Sequence, residues 1–486
     1  MLFNSYIFIF LFFPLALTGY YTLNHFARYR IASIFLTGMS LWFYGYFNAS
    51  YLPIICGSII ANYIISRIMT RYEQNFIRKL VLALGICGNI AVIFYFKYFN
   101  FFLENMNSLF NQSFTLKNIV LPLGISFFTF QQVSYLVDSY RGETKEYSFD
   151  EYALFVSFFP QLIAGPIVLH NEMIPQFRNK EKRCFIPTNF SKGMYIFALG
   201  LFKKVIIADT FGKAVSYGFG TIDTLSSMEA LIVSISYTFQ LYFDFSGYCD
   251  MAIGIGYMFN IELPQNFNSP YKSTSITEFW DRWHMSLTRF LKTYIYIPLG
   301  GNRKGKIRTY INIMIVYLVS GIWHGANWTF ILWGLLHGAL SCLNRLFQKP
   351  WEKLGNITQW AVTFMTVNVL WVFFRADNIQ SAILFLNKMF CLADFTVNKQ
   401  LYACFNLTEL TFFEKRLPFL NFLLYDITGF HLWLFIWGAF FIVLNCRNSK
   451  EIDFKPTIKT SLTTVIFMIW SVMSFAGMSV FLYFNF

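Results

Sequence analysis

The sequence is a succession of apolar runs separated by short basic tracts, and the runs are about as long as a helix needs to cross the hydrocarbon core of a bilayer, about 20 residues. They fall near residues 4–22, 31–48, 51–67, 80–98, 119–138, 152–168, 193–210, 229–247, 310–336, 357–374, 429–446 and 460–484. A soluble domain carries about 25% charged residues, whereas this chain carries 13% against 56% hydrophobic. A water-soluble enzyme is therefore excluded. The fold class expected is an all-α polytopic membrane protein with about 11–12 membrane segments, forming a single integral-membrane domain over residues 1–486.

The chain has 38 basic and 25 acidic side chains, a net charge of +13. The cations sit in tracts between apolar runs, at Arg28–Arg30, Arg67–Lys79, Arg178–Arg183, Arg303–Arg308 and Arg345–Lys353. That placement follows the positive-inside rule and gives no reason to expect a nucleic-acid partner. The eight cysteines show no CxxC and no metal-ligand spacing, so no metal site is expected. Residues Met1 to Tyr21 lack a basic leader and a small-residue cleavage site, and read as a retained first span.

Taking Arg28 and Arg30 as cytoplasmic, four further spans return the chain to the cytoplasm at Arg67–Lys79 and again at Arg141 and Lys145. The run 152–168 then has cytoplasmic charge on both sides and is interrupted by Pro160, Gly165 and Pro166. It is expected to be a re-entrant or broken helix, or else a helix pair on the membrane surface. Residues 261–310 are polar, basic and turn-rich, and are expected to lie at the cytoplasmic membrane surface. Within them Ser275 and Glu278 have capping-box spacing, and Phe279, Trp283, Leu287 and Phe290 share one face of an amphipathic interfacial helix. The segment 395–428 is the longest remaining loop.

Three of the six histidines stand in unusual company. His324 lies inside an apolar run, between Gly321 and Gly325, and an ionisable residue buried there is costly unless it has a task. A neutral imidazole can take a proton from a hydroxyl, as acyl transfer to an alcohol requires. Asn327, three residues on, would share its helical face and could hold the ring or a substrate carbonyl. His284 ends the interfacial segment Glu278–His284, as a catalytic group or an anchor. His337 is thirteen residues beyond His324, which on one continuous helix points it elsewhere and favours a structural role. Asp244 and Asp250 could orient a histidine, line a proton path, or satisfy Lys203 and Lys204.

Residues 121–131 (LPLGISFFTFQ), 158–166 (FFPQLIAGP), 267–271 (FNSPY), 279–287 (FWDRWHMSL), 298–302 (PLGGN) and 321–328 (GIWHGANW) together resemble the membrane-bound O-acyltransferase (MBOAT) family. The likeness is to its bacterial branch, concerned with alginate and peptidoglycan O-acetylation. It runs in order from about 119 to 345, the motif-bearing core. The resemblance implies tilted helices around a central tunnel, with a donor thioester on the cytoplasmic side, acetyl-CoA or an acyl carrier protein, and no bound cofactor. It implies a bacterial inner-membrane, multi-pass location, and a periplasmic or extracellular SGNH-type acetyltransferase partner that modifies the polysaccharide. On it, His324 and His284 match the motif histidines and are the candidate catalytic residues. Asn327, Trp323, Trp328, Asp244 and Arg282 are the candidate substrate contacts. D-alanyl transfer to teichoic acid by the same fold, and a transporter or flippase with embedded Asp and Lys, are the alternatives.

Overall fold

In the computed structural model the described residues are all but 73, 145–146, 408–415, 417–428, 478–480 and 483–486; they form helices and turns, with no strand among them. Lys145 and most of the 395–428 loop thus lie outside the described residues. The chain divides into two compact units, one of Met1–Phe197, Cys249–Pro264 and Lys455–Thr464, the other of Ala198–Tyr248, Gln265–Phe454 and Val465–Phe486.

In the first unit a π-helical turn, Phe8–Phe12, runs into α1 (Phe13–His25), where Pro14 occupies the first turn and its missing N–H costs nothing. α2 (Tyr29–Gly45), α3 (Leu52–Arg71) and α4 (Asn75–Ile93) follow, and α4 continues through a π turn into α5 (Phe99–Phe110). The helical stretch Asn75–Phe110 has 36 residues, and only 11% of its most apolar window is buried against protein. A helix this apolar and this uncovered needs lipid as its solvent, which marks the chain as a membrane protein. Among the described residues three helices are long and apolar enough to cross a bilayer: Ala49–Arg71, Asn75–Phe110 and Asn356–Arg375. The other expected segments also form helices, but several are shorter or carry more polar side chains than that.

α6 (Ile125–Arg141) is closed at both ends by glycines with left-handed backbone. The 152–168 run is broken as its prolines require: α7 (Phe149–Ser157), opened by a Ser148–Glu151 capping box, ends at Phe158, and α8 (Phe159–Leu162) stops before Gly165. Every residue from Tyr152 to Val168 is buried. α9 (His170–Arg178) and most of α10 (Pro187–Phe202) complete this unit. Several of its embedded polar groups hydrogen-bond one another. Gln132 Oε1 accepts from Ser58 and Asn62, and Asn62 and Asn89 exchange amide hydrogen bonds. His170, which no sequence motif singles out, meets Asp138 at 3.1 Å.

In the second unit a π turn, Lys203–Ala208, leads into α11 (Asp209–Gly220), and most of α12 (Ser227–Met258) follows. The interfacial segment departs from one continuous amphipathic helix. It is two short helices, α13 (Ile276–Arg282) and α14 (Met285–Leu291), because His284 takes left-handed backbone, φ 46°, and breaks the run. The apolar face survives the break, with Phe279, Trp283, Leu287 and Phe290 all buried. The capping box is also half as expected. Ser275 accepts the Glu278 N–H, but the Glu278 carboxylate reaches back one residue further, to the N–H and hydroxyl of Thr274.

The apolar run 310–336 is likewise two helices rather than one span, α15 (Lys306–His324) and α16 (Trp328–Leu346). Extended backbone at Gly325 ends the first, and the Asn327 side chain caps the second. The pair packs backbone to backbone: a Cβ on Gly321 would lie 2.5 Å from the Phe330 carbonyl oxygen, and one on Gly334 2.5 Å from that of Tyr317. α17 (Gln348–Glu352), α18 (Asn356–Arg375) and α19 (Ile379–Cys391) come next.

Candidate active site

His324 is the last residue of α15 and is buried, 3% exposed. Its ring sits among Trp323, Trp333 and Phe374, with centroids at 4.8, 5.1 and 5.2 Å. His284 lies on the other side of Trp323, at 6.0 Å, and edge-on to Phe245 at 4.8 Å. Trp323 therefore joins the two candidate histidines, although they are forty residues apart in the chain.

Asn266 fixes the tautomer of His284. Its Oδ1 receives the Ser286 backbone N–H at 3.2 Å and the Ser286 hydroxyl at 2.7 Å. A backbone N–H only donates, so the atom facing it is the amide oxygen. His284 Nδ1, 3.2 Å from the same oxygen, must then carry its proton, which leaves Nε2 with the lone pair of a base. The left-handed backbone of His284 costs on the order of 1 kcal/mol, a strain of the kind held at functional sites.

His337 is not remote from His324. One helical period carried through both residues would place them on different faces, but Gly325 ends α15 and α16 doubles back beside it. Trp333 touches both rings, at 5.1 Å from His324 and 4.9 Å from His337. Asn327 is correspondingly not on the His324 face. Its oxygen accepts the Thr329 N–H at 3.0 Å and its amide donates to the Asp377 carbonyl at 2.8 Å, so its side chain is spent on the α16 cap.

The remaining sequence candidates divide. Trp323 is in the cage, whereas Trp328 is 53% exposed at the start of α16. Arg282 pairs with Glu278 at 2.9 Å and donates to the Asn268 carbonyl. Asp244 faces Lys204, 2.7 Å away, and accepts the Leu482 N–H. It is the next residue, Phe245, that meets His284. Asn266, Phe245, Phe374 and Trp333 are the site residues that sequence reasoning missed; Asn266 and Trp333 each stood beside a motif, but nothing in their spacing showed their partners.

Two cavities border this unit's α15. One, of about 990 Å³, opens around Glu278, Asp281, Lys306, Arg345 and Trp351. The other, a narrow crevice of about 110 Å³, is lined by Trp280, Leu287, Leu291, Tyr296, Tyr317 and Ser320. Along α15 the order is Lys306 and Tyr310 in the large cavity, Tyr317 and Ser320 in the crevice, then His324. At 1.5 Å per residue, Tyr310 to His324 is about 21 Å. In the first unit, donor atoms of Asp138, Glu143 and His170 fall within 4.8 Å of one another, the only such group among the described residues, but Asp138 also neutralises Arg141 at 3.0 Å.

A family profile described as MBOAT, membrane-bound O-acyltransferase, matches residues 76–386. The chain belongs to the MBOAT family. A peptidoglycan O-acetyltransferase of Helicobacter pylori is 41% identical, over 100% of this chain and 98% of that protein. A probable alginate O-acetylase of Pseudomonas aeruginosa is 40% identical over 80% of this chain and 75% of its own length. A teichoic acid D-alanyltransferase of Streptococcus thermophilus is 31% identical over 44% of this chain and 55% of its own length. Membership makes the protein an acyltransferase and sets the transport alternative aside. All the candidate residues fall within the matched range of this MBOAT chain.

Burial lowers the His284 imidazole to about 3, so it stays neutral across the physiological range. The ordinary histidine value is about 6.5; below it the unfolded chain takes up a proton that the folded MBOAT protein refuses. This contribution to stability is complete above about pH 6.5 and is lost, at about 1.4 kcal/mol per pH unit, as pH falls toward 3. His284→Asn keeps a donor toward Asn266, suits left-handed backbone, and cannot titrate. The thermal midpoint of the wild type should therefore fall more steeply than that of His284→Asn between pH 6.5 and 4.5; parallel slopes would refute the assignment.

Proposed function

We propose that this protein is an inner-membrane O-acetyltransferase that takes an acetyl group from a cytoplasmic thioester and passes it on for O-acetylation of an envelope polysaccharide, with His324 as general base. The observation that carries the reading is a buried histidine at the broken end of α15, caged by aromatic rings, whose helix begins in a polar cavity about 21 Å away. Lys306 and Arg345 in that cavity have no ion-pair partner among the described residues, and suit the phosphates of coenzyme A or of a carrier's phosphopantetheine. An extended pantetheine arm would have to reach about 21 Å along α15 from that cavity to His324.

The reaction closes with no outside reagent. As the acceptor hydroxyl attacks the thioester carbonyl, a C–O bond forms and His324 takes the hydroxyl proton. The tetrahedral intermediate collapses, the C–S bond breaks, and the departing thiolate takes the proton back from His324. Aromatic walls around the ring exclude water and limit hydrolysis of the thioester.

The acceptor polymer favoured is peptidoglycan, because the likeness to the Helicobacter pylori enzyme extends over the full length of both chains. An alginate-type polymer is second, and D-alanyl transfer rests on less than half of this chain. The final step would fall to an SGNH-type serine transferase outside the membrane, as the family resemblance implies. The test is base-labile acetate on purified peptidoglycan and on extracellular polysaccharide, from cells with the gene, without it, and complemented. Acetate that disappears from peptidoglycan on deletion and returns on complementation is the expected result. No change in any fraction would end the acetyl reading.

A further inference from the structure

His337 is fully buried, 0% exposed, on α16, and its protonation can be deduced. The indole N–H of Trp280 donates to its Nδ1 at 3.1 Å. A nitrogen that accepts carries no proton, so the ring's proton is on Nε2. That N–H finds no acceptor among the described residues. The same holds for the indole N–H of Trp333, also 0% exposed. Leaving a buried donor unmet costs about 1–3 kcal/mol, and each such group in a native fold calls for a reason.

Their position supplies one. Trp333 lies between His324 and His337, in ring contact with both. His337 is in ring contact with Trp280 at 5.1 Å and stacks on Tyr317 at 6.4 Å, and both of these line the narrow crevice that flanks α15 below His324. Two unmet donors thus sit beside the proposed base, and His337 touches two residues of the crevice wall. A group that needs donors there, and only while bound, is a carbonyl oxygen gaining negative charge.

We propose that His337 is a catalytic hydrogen-bond donor, its Nε2–H binding the acyl carbonyl oxygen of the thioester, with Trp280 as the positioning residue that fixes the tautomer. This rests on the acyltransferase reading above. When the hydroxyl oxygen adds to the carbonyl carbon, the C=O electron pair moves onto that oxygen, and the Nε2–H hydrogen bond shortens against the developing charge. The charge returns to re-form the carbonyl as the C–S bond breaks, and His337 keeps its proton throughout. The Trp333 N–H is the second donor to the same oxygen.

The experiment has two arms. In cells making matched amounts of each protein, base-labile acetate is followed after a pulse of labelled acetate. His337→Phe should slow its appearance about 10–100-fold, Trp333→Phe should slow it in the same range, and His337→Gln, whose amide N–H can occupy the place of Nε2–H, should recover most of the rate lost in His337→Phe. A purely structural role would not distinguish Gln from Phe in this way, so equal rates for these two, or a wild-type rate in His337→Phe, overturn the proposal. In the second arm, ¹⁵N-histidine spectra of the full chain in nanodiscs, assigned by difference against His337→Gln, should show the proton on Nε2. A proton on Nδ1 overturns the proposal whatever the variants do. Absence of labelled ester from wild-type cells would instead count against the acyltransferase reading.

Discussion

Replacing His324 by alanine should bring base-labile acetate on the envelope down to the level of the gene deletion, with the protein still present in the membrane at normal amount. Loss of a general base alone is worth about 10²–10⁴ in rate. Here the loss is compounded, because His324 would also return the proton to the departing thiolate, and the caged site admits no bulk water as substitute. The ring's contacts with Trp323, Trp333 and Phe374 would also be lost, so the protein's melting midpoint must be measured beside its activity. His324→Gln separates the two effects: it fills much of the cage and keeps a polar terminus, but cannot take a proton. Equal inactivity in Ala and Gln, with the Gln protein melting near the wild type, is the expected pattern. Substantial activity in His324→Gln would show that the residue positions rather than accepts the proton.

Much of the helical layout could be read from the chain because each helix announces itself by length and hydropathy. The run 357–374 becomes Asn356–Arg375 and 429–446 becomes Phe430–Asn445, with nothing between the apolar stretch and its helix to mislead. The errors occur where one residue changes the backbone direction. In sequence, Gly321 and Gly325 allow either a close backbone approach or a break in the helix, and spacing does not say which. In the structure Gly325 is extended, it turns 310–336 into the α15–α16 hairpin, and it removes Asn327 from the His324 face while bringing His337 toward it. His284 does the same in the interfacial segment through its left-handed backbone, a conformation its side chain does not advertise. Periodicity arguments remain valid within an unbroken helix, which is why Phe279, Trp283, Leu287 and Phe290 are still all buried while the positions of the two histidines relative to their neighbours were not foreseeable. Asn266 shows the other limit: its three contacts with His284 and Ser286 join residues 18 and 20 positions apart, and spacing alone does not report such a closure.

Lys204→Met is expected to be among the most damaging single changes outside the histidine cage. Lys204 lies in the π turn Lys203–Ala208 and is 2% exposed; its ammonium is 2.7 Å from a carboxylate oxygen of Asp209 and 2.7 Å from one of Asp244. The sequence left open whether Asp244 orients a histidine, conducts protons or satisfies a lysine, and the geometry selects the lysine. Methionine fills the volume but removes the ammonium that the two buried carboxylates share. Removing one partner of a buried ion pair costs about 3–5 kcal/mol, and here the two carboxylates also repel one another. The damage should reach the candidate site, because Asp244 also holds the Leu482 N–H and is followed directly by Phe245, whose ring rests on His284. The mechanism predicts a rescue: Lys204→Met combined with Asp209→Asn and Asp244→Asn removes all three charges together, and should melt well above Lys204→Met alone even though each Asn substitution is destabilising in the wild-type background. If the combined variant is instead as unstable as the sum of its parts, Lys204 contributes through packing rather than charge, and the buried triad is not what holds Phe245 against His284.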